Sequence, residues 1–209
     1  MVGVASCDDG LPCDTVFIRH AEASIEPERP ASDWPLSPEG KSASRDLGAS
    51  LVACNLRQLI TSPEEKAHAT AKAVAEVLRI DLVLDERLRE VRRPWIIEDF
   101  DGAVSRYLQG ETIEGWEPAE QVIERVAAAL VSHSSEGPIG VVTHGTAMAC
   151  FLGARGWVSP VPFWSALTMP DAWGLATNGL SRLYREMPLT NGIVVVEPLA
   201  KISRHNSKG

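Results

Sequence analysis

Residues 15–24 read TVFIRHAEAS, a run that passes from apolar to charged with no turn between. Thr15, Val16, Phe17 and Ile18 are β-branched or aromatic, the composition of a central strand. Arg19 and His20 follow at once, then two small alanines around Glu22. Taken alone, the run fits two readings. Either a strand ends there and its polar tip meets water, or the strand holds a reactive histidine at the rim of a sheet.

Working outward, "RPASDWPLSPEG" (29–40) is a proline- and serine-rich loop that ends in a helix start, with Ser37 as cap and Pro38 at the first helical position. That helix is expected to reach about Cys54 and to bury Leu47, Leu51 and Val52. A second strand, Gln58 to Thr61, is stopped by Ser62-Pro63. The next helix presents Ala67, Ala71, Val74 and Leu78 on one apolar face. A third strand spans Ile80 to Leu84. The segment 87–116 has weak periodicity and reads as an insertion over the rim, helical near Val104 to Leu108. Glu117-Pro118 opens a helix carrying Val122, Val126, Ala129 and Leu130. A fourth strand, Ile139 to Val142, precedes a helix over 146–154. "WGLATNGLSRLYRE" (173–186) and "GIVVVEPL" (192–199) read as late strands, and a basic tail frays from about residue 201.

Strands alternating with helices specify an α/β fold, here a three-layer α/β/α sandwich with a mostly parallel central sheet. With no repeat and no linker, residues 1–209 read as a single domain. The net charge of −8 argues against nucleic-acid and anionic membrane partners, while leaving a small anionic ligand open. No apolar run reaches the ~18 residues of a membrane span. Val4-Ala5-Ser6-Cys7 loosely resembles a lipoprotein cleavage site, but no basic or apolar segment precedes it. Cys7, Cys13, Cys54 and Cys150 lack paired spacing, so no metal site, cofactor or disulfide framework is expected, and a reduced, cytoplasmic setting fits. Oligomeric state is not legible in the chain.

Ligands of such sheets gather at the carboxyl ends of the strands. Those ends carry Arg19-His20, then Thr61-Ser62 with Lys66 one turn on, then "DERLRE" (85–90), then Thr143-His144-Gly145. Each piece alone is an ordinary polar strand end. His68 and His133 lie on predicted helices and His205 in the tail, and none of the three is a candidate. Cations at neighbouring strand ends repel unless they share an anion, so the combination points to one.

The set "RHA", "SPEEKAHATA", "LRE" and "THGTA", in that order over roughly residues 14–155, resembles the histidine phosphatase (phosphoglycerate-mutase-like) superfamily. "LSPEGKSASRDL" (36–47) is similar to a helix opening of the same family. The resemblance implies a metal-independent phosphomonoesterase that forms a phosphohistidine on His20. It implies that Arg19, Lys66, His144 and the amides near Gly145 bind the phosphate. Glu90 would act as acid and then base, which calls for a partly desolvated position. There are departures: Ala21 stands for the usual glycine, and Lys66 for the usual arginine. Glu26-Pro27 and "VRRPW" (91–95) replace the mutase-type continuations. These favour a phosphatase over the alternatives, a sugar-phosphate mutase or a non-catalytic phosphate-binding regulatory protein.

Of six tryptophans, Trp95, Trp116, Trp157, Trp164 and Trp173 fall in the insertion or after the His144 strand. They pack the insertion, or they wall the pocket and stack a flat substrate. On the second reading Trp95 and Trp116 bind the substrate, and Arg92 or Arg93 meets a distant polar part. The small-molecule substrate would then be a flavin mononucleotide analogue, such as the aminoriboflavin phosphate of antibiotic biosynthesis, or a nucleotide.

Overall fold

Two short strands, β1 (Ser6–Cys7) and β2 (Leu11–Pro12), pair antiparallel ahead of the main sheet. In this computed structural model, residues 15–95, 98–133, 137–176 and 179–184 are described in full, and 6–7 and 11–12 by their backbone. The opening run forms β3 (Thr15–Arg19), followed by β4 (Gln58–Thr61), β5 (Asp81–Leu84), β6 (Ile139–Thr143), β7 (Asp171–Ala176) and β8 (Gly179–Arg182). They assemble as one sheet in the order β5-β4-β6-β3-β7-β8. The first four are mutually parallel, and β7 runs antiparallel to both β3 and β8.

The period of two along the strands sorts the core into two layers. Val16, Ile18, Leu59 and Val142 pack with Leu47 and Leu51 and with Ala67, Ala71 and Val74. Those partners come from or just after α1 (Pro38–Ser50) and from α2 (Glu65–Leu78). Phe17, Ile60 and Val141 face the other way, among Val104, Val126, Phe151 and Phe163. These belong to α3 (Phe100–Leu108), α4 (Ala119–Ser132), α5 (Gly145–Ala154) and α6 (Pro160–Ala166). Helices on both faces of a mostly parallel sheet are the α/β architecture expected. No helix among the described residues is long and apolar enough to cross a membrane.

The differences are local. The first helix ends at Ser50, and a 3-10 turn (Val52–Cys54) follows, closed by Asn55 at φ 50°. Three residues per turn rotate Val52 off the buried face, so it is 60% exposed where burial was expected. Helix α6 was not anticipated; at seven residues it is too short to show a period. Residues 192–199 and the tail lie outside the described residues.

The opening of α1 is bolted to the chain just past His20. Ser37 accepts from the Gly40 amide at 2.9 Å, and the Ser37 amide donates to the Glu22 carbonyl at 3.0 Å. A Cβ on Gly40 would stand 2.2 Å from that same carbonyl oxygen, so only glycine allows the approach.

Candidate active site

Hydrogen bonding continues one residue beyond the strands and fixes the rim. The His20 amide donates to the Thr143 carbonyl (3.1 Å), and the Ser62 amide to the Val142 carbonyl (3.0 Å). Since β6 lies between β3 and β4, His20 and His144 become neighbours, with ring centroids 5.0 Å apart in an edge-on arrangement. Both are buried.

His20 Nδ1 is 2.7 Å from the Ala21 carbonyl oxygen. A carbonyl only accepts, so Nδ1 carries the proton and Nε2 keeps its lone pair. Burial first, then the neighbouring His144 ring and the charges of Lys66 and Arg19, push the His20 pKa well below its ordinary 6.5. His144 is shifted the same way, by burial first and then by Lys66. Its Nε2 meets the Ser62 hydroxyl at 2.8 Å. Arg19 donates from Nη1 to the Leu167 carbonyl at 2.9 Å. Its guanidinium passes Gly145, where an added Cβ would lie 3.1 Å from Nε. Among the described residues, the buried Nε of Arg19 and Nδ1 of His144 have no partner within the protein.

Lys66 projects from the first turn of α2, its Nζ donating to the Ala31 carbonyl and to Glu64 Oε2, both at 2.7 Å. Thr70 ties this helix to the chain just past β3: it accepts from the Ala21 amide (2.9 Å) and donates to the Lys66 carbonyl (2.7 Å). Glu90 is half-buried, and its carboxylate accepts from the amides of Val91, Thr146 and Ala147. The α5 amides expected to face a phosphate directly are therefore taken, at Thr146 and Ala147, by Glu90. A cleft of about 360 Å³ borders this cluster, lined in part by Arg29, Asp33, Pro63, Glu64 and Arg89.

The remaining candidates divide. The chain after Glu90 belongs to no helix or strand; Val91 is buried, while the Arg92 side chain is 75% exposed, 3.9 Å from Glu117. Arg92 thus leaves the cluster. Arg93 turns back, its guanidinium 4.4 Å above the Phe100 ring and within the fields of Glu90 and Glu64. Trp116 is packed on Tyr107 in the core instead of opening to a ligand. Trp173 is fully buried, and Trp157 and Trp164 lie against Phe151 and Phe100. Trp95 alone of the five is exposed, at 52%, edge-on to Trp34.

Sequence reasoning missed the carboxylates and the arginine that hold the site together. Arg125 on α4 donates to the carbonyls of Arg87, Arg89 and Glu90 and pairs with buried Glu117. It thereby fixes the loop that presents Glu90. Its place on the α4 surface pattern carries no signal of this. Glu64 accepts from the Glu90 amide at 2.9 Å.

The neutral histidines make stability depend on acid. In the unfolded chain each titrates near 6.5, so below that pH the unfolded state binds more protons than the folded one. Their contribution is complete above about pH 6.5 and is lost as pH falls through the window beneath it. Each buried histidine adds a slope of about 1.4 kcal/mol per pH unit. His144→Gln should make stability less sensitive to acid. Denaturant midpoints taken from about pH 7.5 down to about pH 5 check this; equal acid sensitivity in both proteins contradicts it.

The family model described as "Histidine phosphatase superfamily (branch 1)" matches residues 15–169. A Citrobacter koseri protein named probable phosphoglycerate mutase GpmB is 26% identical over 196 residues, covering 78% of this chain and 91% of that protein. Two solved structures share the fold. A mycobacterial glucosyl-3-phosphoglycerate phosphatase superposes with a TM-score of 0.59 at 21% identity, over 77% of this chain and 88% of its own. An Entamoeba histolytica phosphoserine phosphatase mutant in complex with phosphoserine gives 0.58 at 16%, over 80% and 93%.

Proposed function

This chain belongs to the histidine phosphatase superfamily (branch 1), which supports a phosphoric monoester hydrolase, and we propose that it works through a phosphohistidine on His20. The observation that carries the proposal is the Nδ1–H bond from His20 to the Ala21 carbonyl. It leaves Nε2 as a neutral nucleophile in a buried, cation-lined site. Nε2 attacks phosphorus while the ester P–O bond breaks, and the leaving oxygen takes the Glu90 proton. Water then attacks the phosphohistidine, Glu90 takes the water's proton, and the N–P bond breaks. Arg19 Nε, Lys66 and His144 Nδ1 hold the phosphoryl oxygens, which satisfies the two orphaned donors. Gly145 serves by having no Cβ in the path of Arg19.

For the leaving group we favour an aromatic or heterocyclic small molecule, a flavin mononucleotide analogue such as an aminoriboflavin phosphate, or a nucleotide. Support comes from the exposed Trp95 beside Trp34, which lies on the loop whose Ala31 carbonyl meets Lys66. Arg93, whose buried Nε has no partner among the described residues, adds a cation two residues before Trp95. A mutase acting on phosphoglycerate is favoured by the name of the Citrobacter relative, while Glu26-Pro27 speaks against it. Phosphate release from a panel of phosphomonoesters tests both. We expect flavin phosphates and nucleotides to exceed sugar phosphates and phosphoglycerates in kcat/KM by roughly tenfold or more. The reverse ranking rejects the aromatic substrate, and phosphoryl transfer between glycerate hydroxyls without release selects the mutase.

A further inference from the structure

Glu64 is an acid inside a site built for an anion. It is 8% exposed and precedes Lys66 by two residues, at the mouth of α2. One oxygen accepts from Lys66 Nζ at 2.7 Å. The other accepts from the Glu90 amide at 2.9 Å and lies 3.7 Å from His144 Nε2. Lys66, one of the cations placed to hold a phosphate, is therefore already paired with a buried carboxylate before any phosphate arrives. An incoming dianion must share Lys66 with a carboxylate already in place, and like charges at such range in a buried setting repel strongly.

We propose that Glu64 is an affinity-setting residue that acts through Lys66: its carboxylate competes with phosphate for the ammonium and so keeps the pocket from retaining the inorganic product. This rests on the phosphatase reading and deepens it. The physical gain is in turnover. A pocket that binds substrate and product phosphate equally tightly adds nothing to kcat and slows release. A carboxylate on Lys66 weakens ground-state binding of both, while the transferring phosphoryl group keeps Arg19 and His144.

Glu64→Gln is the direct test, because the amide oxygen keeps an acceptor for the Glu90 amide while the charge and the acceptor facing Lys66 are both removed. Lys66 remains held by the Ala31 carbonyl. Calorimetric titration with inorganic phosphate near neutral pH should show Kd falling by about tenfold or more, equivalent to at least ~1.4 kcal/mol. KM for a phosphomonoester should fall with it, and product inhibition should deepen. A structural role alone would move both the other way. Lys66→Arg is the second arm: a planar fork can keep Glu64 on one edge and offer another to phosphate, so it too should tighten binding. Unchanged or weaker phosphate binding in Glu64→Gln overturns the proposal. So does a failure of Lys66→Arg to tighten binding, even if Glu64→Gln does not fold. Turnover by the native enzyme separates the two levels. If it hydrolyses phosphomonoesters while Glu64→Gln binds phosphate unchanged, only the role of Glu64 is lost. If it neither hydrolyses them nor binds phosphate, the phosphatase reading falls and takes this proposal with it.

Discussion

His20→Ala should lower turnover of every phosphomonoester by three orders of magnitude or more, on the order expected for loss of a covalent nucleophile. The loss should fall on kcat. The groups proposed to hold the phosphate, Arg19, Lys66 and His144, are supported by contacts that do not involve the His20 ring: Leu167, Ala31 and Ser62 respectively. Phosphate affinity should therefore survive, and improve slightly as room opens in the pocket. On the native enzyme, rapid acid-free quenching should trap a phosphoenzyme that is stable in base and lost in acid. His20→Ala should show none. Normal phosphate release by the variant would reject the mechanism outright, since no other neutral imidazole in the cluster has its Nδ1 proton committed to a carbonyl in the same way.

Glu90→Gln should separate substrates by their leaving groups. With an alkyl phosphate, whose alkoxide needs a proton to depart, we expect kcat to fall by about a hundred- to a thousandfold, within the usual range for a general acid. With a nitrophenyl phosphate the bond breaks without that proton, and the first step should slow by less than about tenfold. Equal slowing of both would leave Glu90 a purely positioning group. The structure makes that distinction worth drawing. The Glu90 carboxylate accepts three amide hydrogen bonds, two of them from the start of α5. Glutamine retains one carbonyl acceptor for them but its NH₂ cannot accept, so a modest stability loss accompanies the change. A burst of nitrophenolate followed by slow phosphate release would place the remaining defect in hydrolysis of the phosphohistidine, where Glu90 acts as base.

Much of the architecture could be read from local pattern. Val16, Phe17 and Ile18 alternate between two helical layers because a strand has a period of two, and that period is written in adjacent residues. Ser37-Pro38 marked a helix start because capping is a contact between near neighbours. Val52 was misplaced because a switch to a 3-10 turn leaves no mark on the apolar spacing.

The tryptophans show where local reading stops. Trp116, Trp157, Trp164 and Trp173 are legible as large apolar groups, but whether each meets a ligand or another ring depends on helices far away in sequence. The same holds for the charges. Arg19, His20, Lys66, Glu90 and His144 could be named together because each sits at or soon after a strand end, and parallel strands bring their carboxyl ends to one rim. Order along the chain was enough for that. Only the tertiary structure decided that Glu64 stands on Lys66, that Arg125 grips the backbone of Glu90, and that Arg92 leaves while Arg93 stays. Periodicity records which side of an element a residue occupies. The partner of a buried charge is whatever opposite group packing brings within about 3 Å, and no local pattern carries that distance.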